Sequence, residues 1–134
     1  MSSLSKANLL VLGLLIVHTL DHGLNQASRT QPGSAALVGA AGFALLAASC
    51  LVALQRSPAA PVFSAFAGGL TAFGLVVVHL LPNWWGWVSD PYWDIGANLL
   101  SWLSLILLLA AATYLCALGL RYRRNRHMTP IYRE

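Results

Sequence analysis

Two histidines one helical turn apart, His18 and His22, stand with Asp21 inside an otherwise apolar stretch near the start of the chain. On a helix advancing about 100° per residue, His18, His22, Asn25 and Arg29 fall within a stripe about 60° wide, with Asp21 close beside it. Imidazoles at this spacing can both reach one ion, and the adjacent carboxylate can ligate it or orient a ring. The same groups can move protons near neutral pH, or bond one another and pin helices together with no chemistry at all. Arg29 pairs with Asp21 if the helix stays regular through Gly23, and otherwise lies at an interface.

A third histidine, His79, precedes Pro82, and Asp94, Asn98 and Ser101 recur further on at i, i+4 and i+7 along one helical side. Between these groups lies a run holding Trp84, Trp85, Trp87, Tyr92 and Trp93, which reads as an aromatic belt at a membrane interface. Trp85 and Trp93 are also placed to line an entrance. Asp90 before Pro91 reads as a turn residue, and Asp94 as a carboxylate able to cap the helix that follows. His127 lies among arginines and is read as unrelated to the other three histidines.

The elements that must position these residues follow from composition. With 57% apolar and 9% charged residues in 134, water is not the main solvent of this chain. Four stretches, roughly 5–28, 34–55, 61–81 and 95–120, approach the ~20 apolar residues that a helix needs to cross a bilayer. Helices are the only way such open runs satisfy their backbone in lipid. Pro32-Gly33, Pro58 with Pro61, and Pro82 separate them. The first lacks a small-residue cleavage pattern and reads as an uncleaved helix. Short connections after the first two spans force antiparallel neighbours. The fold expected is therefore an all-α integral membrane protein, a four-transmembrane-helix up-down-up-down bundle over residues 1–120 with a basic tail over 121–134.

Five of the eight cations, Arg121, Arg123, Arg124, Arg126 and Arg133, lie in that tail, so the basic balance describes a tail and not a nucleic-acid-binding face. Its main role is to anchor the topology, with anionic lipid head groups as a second reading. Lys6, Arg56 and the tail share one side and Arg29 lies alone on the other, which predicts both termini in the cytoplasm of a plasma (inner) membrane. Cys50 and Cys116 sit in apolar runs without a paired spacing and read as packing residues. Gly39 with Gly42, and Ala65, Gly68, Gly69 and Ala72, form small-residue faces that permit close helix contact or a homodimer.

The first and third helices run the same way, so His79 belongs at the same depth as His18 and His22 whichever side is cytoplasmic. The expected result is one polar pocket below the extracytoplasmic surface, lined by His18, Asp21, His22, His79, Asp94 and Asn98, with Asn25 nearby and the Trp-rich loop as a lid. Its leading reading is an enzyme acting on a lipophilic small molecule as an isomerase, cyclase or hydrolase. His18, His22 and His79 would hold a zinc-like divalent metal in a site with one open position, or act with Asp21 as metal-free acid and base. Alternatives are a b-type haem held by axial histidines, and an accessory or transport subunit of a larger membrane complex. Against transport, the inner halves of the helices offer no continuing polar path.

Overall fold

A computed structural model describes residues 1–26, 34–82 and 89–128. The described residues form four long helices and no strands: α1 (Ser3–Asp21), α2 (Ser34–Leu54), α3 (Ala60–Leu75) and α4 (Leu99–Met128). All four are long and apolar enough to cross a membrane. Large apolar side chains such as Leu10, Leu51, Phe66, Phe73 and Ile106 face outward. A belt of this kind needs an apolar solvent, and the protein is an integral membrane four-helix bundle.

Helix ends follow local chemistry. The Ser2 hydroxyl accepts the Ser5 amide at 3.1 Å and caps α1. α2 stops where Arg56 takes a left-handed φ of 55°. The Ser57 amide then reaches back to the Val52 carbonyl and the Arg56 amide to Ala53, both at 3.2 Å, the paired bonds of a Schellman ending. Pro61 occupies the first turn of α3, where its missing amide proton costs nothing.

α1 and α3 end alike. Each passes directly into a π-helical turn, His22–Gln26 after α1 and Val76–Leu80 after α3. The Leu81 amide closes the second of these on the Val76 carbonyl, five residues back, at 3.0 Å. Single π turns widen a helix locally and are frequent where side chains must be re-aimed. Here they carry His22 and His79.

The helices form a closed ring in chain order, α1 against α2, α2 against α3, α3 against α4, and α4 back against α1. The most extensive interface joins α3 and α4. A Cβ added to Gly68 would lie 2.6 Å from the Ala112 carbonyl oxygen and the Cys116 amide nitrogen, and one on Gly119 would lie 2.6 Å from Pro61 O and Ala65 N. Only hydrogen at these two positions lets the backbones meet, the small-residue packing that holds helices together in lipid. Val11, Leu46, Leu105, Leu108 and Leu115 fill the core between them.

Candidate metal centre

The antiparallel ring brings the C-terminal ends of α1 and α3 to the start of α4, and His18, His22 and His79 meet there. Their ring centroids form a nearly equilateral triangle, 4.8 Å for His18–His22, 5.2 Å for His18–His79 and 5.0 Å for His22–His79. One nitrogen from each ring lies within 4.8 Å of those from the other two. Rings radiating tetrahedrally from one ion at about 2.0–2.1 Å place their nitrogens about 3.3 Å apart and their centroids about 5 Å apart.

The hydrogen bonds fix which nitrogens face inward. The Ser104 hydroxyl donates to the Ser101 carbonyl at 2.9 Å, so its oxygen is left to accept from His18 Nδ1 at 3.2 Å. His79 Nδ1 is 3.2 Å from the Asp90 carbonyl oxygen, which can only accept. A neutral His79 ring therefore carries its proton on Nδ1, and a neutral His18 ring does the same while the Ser104 hydroxyl keeps its bond to Ser101. The two Nε2 lone pairs then face each other at 3.3 Å. Opposed acceptors at that distance repel unless a cation lies between them.

His22 completes the triangle. Its Nε2 shares a hydrogen bond with the Tyr92 hydroxyl at 3.3 Å, and its Nδ1 is buried with no hydrogen-bond partner among the described residues. A buried unpartnered nitrogen is uncommon and leaves room for a further partner, a water or an ion. Tyr92, itself fully buried, covers the triangle: its ring centroid is 4.6 Å from His79, 6.0 Å from His22 and 6.3 Å from His18. Trp102 holds it from behind in an edge-on contact at 5.4 Å.

Asp90 ties the connecting segment to α3. Its amide donates to Val78 O at 2.9 Å, and the Tyr92 amide donates to His79 O at 3.1 Å. Burial pushes the Asp90 carboxyl above its ordinary value, so its neutral form is favoured relative to an exposed aspartate.

The other residues expected at the pocket separate into distinct places. Asp21 is buried, and its Oδ1 accepts from Asn25 Nδ2 at 2.6 Å. Asn25 is exposed and bonds to Asp21. Asp94 and Asn98 are both exposed. Asn98, not Asp94, caps α4: its Oδ1 accepts the Ser101 amide at 2.9 Å. The reason is a turn over residues 92–96 ending at Gly96, with φ 62°, which delays the helix to Leu99. Trp93 is half exposed and lies 6.5 Å from Trp102, while Trp85 and Arg29 fall outside the described residues.

Sequence reasoning missed Ser104, Tyr92 and the Asp90 carbonyl at this site. It also missed a second buried cluster nearer the N-terminus of α1, ten residues or about 15 Å below His18. There Asn8 Nδ2 donates to Leu4 O at 2.9 Å and to Ser64 Oγ at 2.8 Å, and its Oδ1 accepts from Ser49 Oγ at 2.6 Å. Ser5 Oγ donates to Ala53 O at 3.0 Å. Every polar atom of the Asn8 side chain is satisfied, so this cluster fastens α1, α2 and α3 together.

Three neutral imidazoles, with two of them anchored through Nδ1, make a donor set suited to a borderline metal such as zinc. They leave little room for a porphyrin, whose axial nitrogens stand about 4 Å apart with the macrocycle between them. Against family models, curated proteins and solved structures the chain has no match, so these residues and their geometry carry the functional reading.

Proposed function

We propose that this protein is a membrane-embedded metal enzyme in which His18, His22 and His79 hold one zinc-like ion for chemistry on a lipophilic small molecule. The observation that carries the reading is the 3.3 Å approach of two Nε2 atoms whose rings are each anchored through Nδ1. The ring anchors, Ser104 and a main-chain carbonyl, are partners that hold metal-binding histidines in one tautomer. A zinc-like ion on three imidazoles supplies a Lewis acid with a fourth position for water or substrate.

The chain's own residues prepare that chemistry. Tyr92 shields the triangle and keeps His22 oriented through its hydroxyl. Asp21 supplies a buried carboxylate in the same turn of helix as the two histidines of α1. The surrounding bundle selects molecules that partition into lipid, since the site lies at the end of two membrane-spanning helices. Hydrolysis, isomerisation and cyclisation all use a Lewis acid next to a group that moves a proton. By the distribution of flanking cations, the site faces the extracytoplasmic side of an inner membrane, with both termini cytoplasmic.

Cobalt substitution tests the reading. Detergent-purified protein loaded with Co²⁺ is expected to show the intense visible bands of a four-coordinate ion, and added azide is expected to shift them by entering the open position. Bands of weak, six-coordinate Co²⁺, or bands unchanged in His79→Ala, would overturn it.

A further inference from the structure

At the opposite end of the bundle, α3 and α4 leave a groove of about 290 Å³ lined by Val62, Ala65, Phe66, Cys116, Leu120 and Arg123. Its origin is the close contact described above. Gly119 sits against Pro61 and Ala65, and Gly68 against Ala112 and Cys116, so the helix axes are too near for large side chains to fill the seam. Ala65 and Cys116 make a shallow floor, while Val62, Phe66 and Leu120 stand beside it and are largely exposed. Cys116, Leu120 and Arg123 recur at i, i+4 and i+7, so the floor, one wall and the polar end lie on one face of α4.

The groove is apolar along its length and cationic at one end. Arg123 is exposed and flanked on α4 by Arg121 and Arg124, also exposed. Because Gly119 packs on Pro61, Arg123 lies one turn beyond, at the level where α3 begins and where the positive end of its dipole lies. Lys6 and Arg56 belong to this same end, whereas Asp21, Asp90 and Asp94 belong to the histidine end. No acidic residue among the described ones offsets the arginines here.

We infer that this groove is a binding site for an anionic phospholipid, with an acyl chain along the α3–α4 seam and the head-group phosphate on Arg123. Charge complementarity selects this occupant over a neutral lipid of the same chain length. Arg121 and Arg124 point from other faces of the helix and supply only the general field that any basic membrane-proximal segment supplies. The site is independent of the histidine centre, and its test does not depend on metal.

Native mass spectrometry of the full chain, released from detergent with equal amounts of dioleoyl phosphatidylglycerol and dioleoyl phosphatidylcholine, reads the preference directly. Phosphatidylglycerol is expected to be retained about fivefold or more over phosphatidylcholine, the factor one arginine near a membrane surface supplies. Arg123→Gln is expected to remove most of that preference and Arg124→Gln to keep it; both positions are exposed and leave the core untouched. Val62→Trp, which fills the groove, is expected to lower retention of both lipids. Equal retention of the two lipids by the native chain would overturn the inference. So would equal losses in Arg123→Gln and Arg124→Gln, which would mean a diffuse field without a site, or competition of phosphatidylglycerol by millimolar inorganic phosphate, which would mean that the acyl chain contributes nothing.

Discussion

His18 and His79 face each other through their Nε2 atoms at 3.3 Å, and the far nitrogen of each ring is held by a second group, the Ser104 hydroxyl for one and the Asp90 carbonyl for the other. While the Ser104 hydroxyl is bonded to Ser101, both ring protons are engaged elsewhere and the inward lone pairs are left for a cation.

Ser104→Ala removes the acceptor that holds His18 in its tautomer without touching any ligand. Metal affinity, measured by competition with a chromophoric chelator, is expected to fall 10- to 100-fold, the usual effect of losing such a partner. Unchanged affinity would mean that Ser104 serves only its own bond to Ser101.

The main-chain carbonyl of Asp90, not its carboxyl, holds His79. Asp90→Asn is therefore expected to bind metal as the native chain does, while Asp90→Pro, which deletes the amide bonded to Val78 O, is expected to weaken binding. The carboxyl affects stability instead. Its folded pKa is raised, so it favours folding when protonated, below its ordinary value of 3.8, and that contribution is lost as pH rises through the folded value. Asp90→Asn should raise the melting temperature at pH 7, and the difference should close below about pH 4.

The polar cluster around Asn8 is a fastener. Asn8→Ala strands Ser49 and Ser64 and is expected to cost about 1–2 kcal/mol in reversible unfolding in micelles, given roughly 0.6 kcal/mol for an average interhelical bond in lipid. Metal binding about 15 Å away is expected to persist.

Gly68→Ala and Gly119→Ala force backbone from backbone, since the obstructing atoms are main-chain. Each is expected to destabilise the bundle by about 1–3 kcal/mol. Gly13→Ala and Gly74→Ala meet nothing within 4 Å and are expected to be neutral in the same assay.

Much of this site could be read from residue order because few rules were needed. Four apolar runs must be helices, consecutive helices must reverse, and His79 near the end of the third then has to join His18 and His22 from the first. What escaped depended on detail below that level. Ser104 is unremarkable in a membrane helix, and Tyr92, set among tryptophans, reads as an interfacial anchor until the chain folds it inward. The Asp90 carbonyl belongs to the backbone and has no signature in residue type. Asp94 reads from residue order as the cap of the last helix, but the turn at Gly96 delays α4 and gives that place to Asn98. Asn8, a single amide in an apolar run, offers a signal for the second cluster, and its partners Ser49 and Ser64 lie on two other helices that only packing brings to it.

The most direct measurement is the metal content of the detergent-purified chain after incubation with zinc and desalting, by elemental mass spectrometry, beside a His18→Ala, His79→Ala double variant of matched helicity. About one ion per native chain and none in the variant is the expected result. A native chain that emerges without metal, or a variant that retains as much, would contradict the three-histidine centre.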